Sequence, residues 1–272
     1  MHAKFFKDQT TRYRKRVKMK KIVGFYVLIA LLSVFSIFAV FINPVKADAN
    51  VIIRNNHTAY IDEGGRYFIA GEVENVGDVT VRGIIMTATL YNSSGEVVAT
   101  PSNEIMMSYL LPGRKSPFGV LLWDVAKSAL VHHYTLNLTF QPYPEGRQLG
   151  LEIISNSYYV DGTGMKHVNG TIRNTGSQTA TYVYVAATCY NETGYVVDVH
   201  YTWTDPMNIN PGQTAPFDIE FVRRARGLLT TSWTLAVESQ EYEMIPEFPF
   251  SICIYALLAA SSIVIVAIKR KS

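Results

Sequence analysis

The sequence predicts a mainly β fold: two tandem antiparallel β-sandwich domains flanked by an N-terminal and a C-terminal transmembrane helix. First, residues 71–118 align with residues 170–217 at a shift of 99 residues and without a gap, so a whole domain is repeated. Second, each copy consists of short runs in which apolar and polar residues alternate, as in half-buried strands. Third, long uncharged apolar runs lie near both ends of the 272-residue chain.

The N-terminal region predicts export. Residues 1–21 hold nine Lys and Arg residues, and we expect this basic arm to stay in the cytoplasm. Residues 22–42 are predicted to be a signal peptide or a signal-anchor helix, because the uncharged run 22–41 is roughly 30 Å long as a helix. Ala47 and Ala49 are candidate cleavage positions. With or without cleavage, residues 50–245 are predicted to lie outside the cytoplasm.

The repeats predict domains at residues 50–142 and 148–241. Around Gly71, alternate residues such as Ile69 and Val73 point to the core, while Phe68 and Ala70 point away from it. This pattern predicts a strand with one solvated face. The corresponding strand of the second copy runs through Gly170 with the same alternation.

Turn residues separate the predicted strands at matching positions in both copies. Asn-x-x-Gly, at 92–95 and 191–194, predicts a hairpin, and Pro-Gly, at 112–113 and 211–212, fits a type II turn. Residues 123–130 and 222–229 are expected to be helical before a last strand. About seven short strands per copy indicate a sandwich of immunoglobulin or fibronectin type. The short linker, 141–146, predicts that the domains stand end to end as a semi-rigid rod.

Three motifs carry a family resemblance: G-x-V-x-N-x-G, then L-Y-N near a hairpin, then a late P-G-x-x-x-x-F. Together they resemble the FxLYD-type domains of prokaryotic cell-envelope proteins. The resemblance implies a sandwich of envelope type and no particular activity. The chain departs from the name-giving motif, since Ala88 and Ala187 stand in place of Phe, and Asn92 and Asn191 in place of Asp.

The C-terminal region, 246–272, joins a short motif, an apolar segment and a basic tail. The motif consists of Pro246, Glu247, Phe248 and Pro249, and residues 250–268 are uncharged. This order resembles the archaeal PEF-CTERM sorting signal, which implies processing by an archaeosortase-type enzyme. The alternative is a permanent tail helix. Both interpretations place the protein at the cell membrane, with both termini cytoplasmic before any processing.

Charge and cysteine content exclude other classes of protein. Residues 50–245 contain 12 Lys and Arg against 19 Asp and Glu, so this segment repels nucleic acid. The two cysteines are too few for a disulfide framework. Cys189 aligns with Leu90 and is expected to fill the same core position, while Cys253 lies in the apolar tail.

Five Asn-x-Ser/Thr sequons are candidates for glycosylation in an exported chain. They are Asn56, Asn92, Asn137, Asn169 and Asn191. Asn92 and Asn191 occupy the same hairpin tip in the two copies. The alternative is that these residues serve only as turn formers.

The sequence predicts no catalytic, metal or cofactor site. The adjacent His132 and His133 point to opposite faces of a strand, which does not suit one metal ion. Asp62 and Asp161 are equivalent in the repeats and could bind calcium with Glu63, but a turn role is favoured. Phosphate-binding loops, Cys-x-x-Cys and His-Glu-x-x-His are absent from the sequence.

The repeats differ most in aromatic content. The second copy has five aromatic residues where the first has Gly, Ile, Glu, Ser and Glu, and exposed aromatic side chains are favoured at contacts. They are Tyr182, Tyr184, Tyr195, Tyr201 and Trp203. Packing against the first domain is the alternative explanation.

These observations predict a non-enzymatic, membrane-anchored module at an archaeal cell surface that binds an unidentified surface protein or glycan, or serves as a spacer. An accessory subunit of a membrane transport or secretion complex is the first alternative. A surface hydrolase is the second alternative.

Overall fold

The structure, a computed structural model, describes residues 48–246, and almost all regular structure in them is β. We call residues 48–142 the first domain and residues 148–246 the second domain. The strands of the first domain are β1 (Val51–Ile53), β2 (Thr58–Ile61), β3 (Tyr67–Asn75), β4 (Val81–Tyr91), β5 (Val97–Ala99), β6 (Ser102–Glu104), β7 (Tyr109–Leu110), β8 (Lys115–Leu122) and β9 (His133–Pro142). Those of the second domain are β10 (Gln148–Val160), β11 (Lys166–Asn174), β12 (Tyr184–Tyr190), β13 (Val196–Trp203), β14 (Thr214–Glu220), β15 (Ser232–Glu238) and β16 (Tyr242–Met244).

The first domain is a two-layer sandwich. One sheet has β3 pairing with β1, β2 and β8, and the other has β4 pairing with β5, β6, β7 and β9. Apolar side chains of both sheets meet between them, including Ile69 and Phe118 from one layer and Met86 and Leu90 from the other. This arrangement follows from the alternation of apolar and polar residues in the strands.

The second domain corrects the predicted fold class, because it is not a pair of separate sheets. Its strands form one seven-stranded sheet in the order β13-β12-β15-β16-β10-β11-β14. The short strand β16 joins the two layers: it pairs antiparallel with β15 through Glu243 and parallel with β10 from Tyr242 to Met244. Cys189 is buried in this core, as its alignment with Leu90 predicts.

The flanking transmembrane helices of the predicted fold class are also wrong for this structure. The described residues contain only two helices, α1 (Val125–Ser128) and α2 (Arg224–Leu229). Neither is long and apolar enough to cross a membrane. The runs on which the prediction rested, 22–42 and 250–268, lie outside the described residues, as does the basic arm.

The repeated G-x-x-x-N-x-G motif has a structural role in each copy. The Nδ2 group of Asn75 donates to the backbone oxygens of Val79 and Leu110, each at 2.8 Å, and its Oδ1 accepts from the backbone N–H of Gly77. Asn174 makes the equivalent three hydrogen bonds in the second domain. Both side chains are fully buried, so each satisfies backbone groups that would otherwise be unpaired in the core.

The two domains lie side by side within one compact unit, not end to end as a rod. The outer face of β3 in the first domain packs on β13 of the second through Phe68, Ala70, Val196 and Val199, all buried. The predicted half-buried strand is therefore buried on both faces. The reason is that the outward residues Phe68 and Ala70 are apolar and the second domain covers them.

Candidate functional site

The aromatic residues of the second domain stand on a scaffold that both copies share. Ile85 of β4 pairs with Glu104 of β6, and the equivalent Tyr184 of β12 pairs with Trp203 of β13. The strand pairing is thus the same in the two domains, and only the side chains differ. Because residues two apart on a strand share a face, Tyr201 lies on the same face as Trp203.

Tyr184, Tyr201 and Trp203 form what we call the aromatic cluster. The Tyr184 and Tyr201 rings stack at 5.2 Å, and the Trp203 ring meets Tyr184 edge-on at 5.6 Å and Tyr201 edge-on at 5.5 Å. Tyr201 is 52% exposed and Trp203 44%. Burial raises the pKa of Tyr184, which keeps its hydroxyl neutral. The cluster is a preordered apolar surface with polar edges, a combination found at contact sites.

The other two predicted aromatic residues are elsewhere. Tyr182 precedes β12 and has a φ of +53°, the only non-glycine residue with positive φ among residues 48–246. Its ring is exposed and its backbone N–H donates to Oδ1 of Asn208. Tyr195 is at the hairpin tip of the second domain, beside Arg54 and Asn55 of the first. The predicted contact face therefore divides into a cluster of three residues and two separate ones.

A groove between the two domains continues from the aromatic cluster. Its volume is about 580 Å³, and Tyr201 forms part of its wall on the second domain. Trp123 of the first domain, 72% exposed, lies on the other wall. The polar groups of Asn103 and Arg223 also line it. The groove therefore combines aromatic walls with hydrogen-bonding groups, as binding sites commonly do.

A buried ionic network lies beside this groove and shares His200 and Arg223 with its lining. Oδ1 of Asp198 accepts hydrogen bonds from Nη1 of Arg223 at 2.8 Å, the Tyr60 hydroxyl at 2.9 Å and the backbone N–H of Val199 at 2.9 Å. Oδ2 of Asp198 lies 2.9 Å from Nε2 of the buried His200, at ion-pair distance.

The net effect on Asp198 favours its charged form. Burial opposes ionisation, but the contacts with His200 and Arg223 outweigh it and lower the pKa of this carboxyl group. Because Tyr60 belongs to the first domain and Asp198 to the second, the network connects the domains. The sequence analysis did not identify this network. The charge of Asp198 within the otherwise apolar run Val196–Val199 was a signal that could have pointed to it.

The same interface holds further charged groups. Glu72 of the first domain is 1% exposed and accepts from Nδ2 of Asn56 at 2.9 Å and from the hydroxyl of Tyr190 at 2.8 Å. The guanidinium of Arg226 lies over the ring of Tyr60 at 4.0 Å. These contacts extend the connection between the domains beyond Asp198.

A pair of carboxyl groups, Glu238 and Glu243, lies where the second domain meets Ser108 of the first. Glu238 accepts from the backbone N–H and the hydroxyl of Ser108, which belongs to the first domain. The adjacent Glu243 lies 3.3 Å from Nε of Arg147. Burial, and then the charge of Glu238, raise the pKa of Glu243 to about 8 despite Arg147. The negative charge of Glu238 therefore opposes the ionisation of Glu243.

The sequons differ in accessibility. Nδ2 of Asn56 donates to Glu72 and to the Gly194 backbone oxygen, so a glycan there would break the domain interface. Asn137 is exposed on β9, and Asn169 is partly exposed on β11. Oδ1 of Asn92 and of Asn191 accepts backbone N–H groups inside its turn, the role that turn chemistry predicts.

The remaining candidates do not form a chemical site. His132 and His133 are exposed neighbours, and no group of three or more His, Cys, Asp or Glu side chains suitable for a metal occurs in the described part of the chain. Oδ1 of Asp62 and of Asp161 each accepts two backbone N–H groups in a turn. Of the sorting motif, Pro246 is described, and Glu247, Phe248 and Pro249 lie outside, as does Ala47. Ala49 packs against the core of the first domain.

Comparisons with known proteins do not assign a family. No family model and no curated protein matches the chain. The structural match with the exo-chitosanase CsxA of Amycolatopsis orientalis covers 69% of this chain and 26% of the exo-chitosanase, at 12% sequence identity and a TM-score of 0.27. Red sea bream transglutaminase matches 72% with 30% of its own, at 7% identity and a TM-score of 0.23. The chain thus spans less than a third of these structures. These distant likenesses assign neither a fold nor a function to the chain, whose mainly β structure follows from its own strands.

Proposed function

We propose that this chain is a non-catalytic binding protein that acts outside the cytoplasm, and that the aromatic cluster is its contact surface. The partner is a surface protein or a glycan. The exposed cluster of Tyr184, Tyr201 and Trp203 carries the proposal, because stacked aromatic side chains at the surface supply much of the energy at contact sites. The basic arm and the apolar run 22–41 support export. The resemblance to FxLYD-type domains supports an envelope location.

The domain interface supports the binding role by fixing the position of the cluster. Tyr201 follows directly after His200, whose ring contacts Asp198 in the network that also holds Tyr60 of the first domain. A contact surface anchored in this way loses little conformational entropy on binding. The adjacent groove adds hydrogen-bonding groups beside the aromatic rings.

The test exchanges the cluster for the residues of the sister domain. A triple variant, Tyr184→Ile, Tyr201→Ser and Trp203→Glu, keeps the strand pairing, since the first domain has these residues in the same register. We expect saturable binding of the purified full chain to envelope fractions of the source cells, and a loss of affinity of roughly 30-fold or more in the variant. Periodate treatment of the fractions identifies a glycan partner, and protease treatment a protein partner.

The matched control is Tyr158→Ser, which removes an exposed tyrosine of the second domain outside the cluster. This variant should bind like the unaltered chain. Equal binding by the triple variant, or turnover of a glycoside or ester substrate by the purified chain, would contradict the proposal.

A further inference from the structure

The first folded residues of the described chain are held by two reciprocal hydrogen bonds. The backbone N–H of Asp48 donates to Oδ1 of Asp78 at 2.6 Å, and the backbone N–H of Asp78 donates to the Asp48 oxygen at 2.9 Å. The backbone oxygen of Asn50 accepts from Val76 at 2.9 Å and from Gly77 at 3.1 Å. Residues 48–50 are therefore part of the first domain, ahead of β1.

Gly77 is adapted to this segment. A Cβ atom at Gly77 would lie 2.2 Å from the backbone oxygen of Asp48 and 2.6 Å from the backbone nitrogen of Asn50, so any larger residue would displace the segment. Ala49 packs against the core between these two residues. Backbone atoms rarely yield to such a clash, and the close approach thus depends on both Gly77 and Asp48.

We infer that signal peptidase cuts between Ala47 and Asp48, and that the α-ammonium group released on Asp48 forms an ion pair with the Asp78 carboxylate. The inference rests on the export proposed above. In the cleavage, water adds to the carbonyl carbon of Ala47 and the bond to the Asp48 nitrogen breaks. Ala47 then ends the removed peptide as a carboxylate, and the Asp48 nitrogen takes up protons to become the ammonium group.

The alternative cut after Ala49 removes structure that the fold uses. It would delete both hydrogen bonds between Asp48 and Asp78, and it would take the Ala49 side chain from the core. The cut after Ala47 keeps all of these contacts. It also converts a neutral N–H donor at 2.6 Å from a carboxylate oxygen into a charged one, and a charge-assisted hydrogen bond is about twice as strong. Asp48 is exposed, so the ammonium group stays hydrated.

The first measurement is mass spectrometry of the N-terminal peptide of the protein isolated from cells. We expect a chain that begins at Asp48. A chain that begins at Asn50, or one that retains the residues before Asp48, overturns the inference. Envelope binding through the aromatic cluster is a separate readout, so the failure of one proposal is distinguishable from the failure of the other.

The second measurement tests the ion pair on the mature full chain. Pairing with Asp78 should hold the α-amino group protonated at pH 8, which is close to its ordinary pKa, and so slow its reductive methylation. We expect Asp78→Asn to speed modification of the N-terminal amine about 3- to 10-fold. The control Asp205→Asn, at an exposed carboxylate of the second domain, should leave the rate unchanged. Equal rates in the two variants overturn the ion pair.

Discussion

The two domains share one arrangement of strands, but they pack on each other through strands that are not equivalent: β3 of the first domain and β13 of the second. On β3 of the first domain, the outward residues Phe68 and Ala70 are buried under the second domain. At the equivalent positions on β11 of the second domain are His167 and Asn169, which remain partly exposed. In the first domain this face is apolar and packs on the second domain. The equivalent face of the second domain is polar and remains partly exposed. The inward positions and the buried asparagines stay alike.

A second contrast lies on the sheets that carry β4 and β12. The second domain places its aromatic cluster where the first has Ile85, Ser102 and Glu104 in the same register. One duplicated scaffold therefore supplies two different properties. The first domain provides an apolar face for docking, and the second provides the exposed aromatic surface.

The largest expected effect comes from replacing Asp198 of the second domain with alanine, the residue that the first domain has at the aligned position, Ala99. In Asp198→Ala, the Arg223 charge and the Tyr60 hydroxyl lose their partner, so we expect unfolding at pH 7 to require about 3 kcal/mol less. The fold lowers the pKa of Asp198, so the ionised side chain contributes fully to the free energy of unfolding above about pH 4. This contribution is lost as the pH falls through the pKa of Asp198 in the folded chain. Denaturant titration at pH 7 and at lower pH measures both effects.

The control for this variant is Asp218→Ala on β14. Asp218 accepts a hydrogen bond from Tyr159 at 2.8 Å, but its side chain is 47% exposed, so we expect a loss of less than about 1 kcal/mol. If the two variants lose similar stability, the Asp198 network does not hold the domains together.

A smaller effect is expected at β16, the strand that closes the sheet of the second domain. The raised pKa of Glu243, about 8, means that the folded chain binds more protons than the unfolded chain between about pH 4.5 and 8. Its contribution to stability is therefore lost as the pH rises through that range. Glu243→Gln should raise the free energy of unfolding at pH 9 by on the order of 2 kcal/mol and change it little at pH 4.5. Thermal melts at the two pH values measure the difference.

Glu241→Gln is the matched control, two residues away. Although partial burial opposes it, hydrogen bonds from Thr181 lower the pKa of Glu241. Its charged form is thus favoured by the fold, and the variant should lose stability at pH 9 where Glu243→Gln gains it. The same sign in both variants would refute the assignment of a raised pKa to Glu243.

The sequence predicted the repeated features because their causes are local. The Gly95 and Gly194 turns, the Pro-Gly turns and the two short helices depend on residues close in the chain, and the structure has them at the predicted positions. The interface depends on residues such as Phe68 and Arg223, far apart in sequence. The alternation of inward and outward residues along a strand could not reveal the interface. It has a period of two whether the outer face of the sheet is covered by another domain or exposed to solvent. The role of β16 was missed because its three residues lie between predicted units.

The smallest expected effect sharpens the aromatic contrast at Tyr182, which aligns with Gly83. Both residues have positive φ, +53° and +56°, but only glycine adopts this conformation without strain. Tyr182→Gly keeps the hydrogen bond from its backbone N–H to Asn208, and we expect it to stabilise the chain by about 0.5 kcal/mol. Gly83→Ala, where a Cβ meets nothing within 4 Å, should destabilise it by about 1 kcal/mol through backbone strain alone. Denaturant titration of both variants separates strain from contacts. A gain in stability for Tyr182→Gly together with weaker envelope binding would assign the strained tyrosine to the contact surface, whereas a loss of stability would mean that its ring supports the fold.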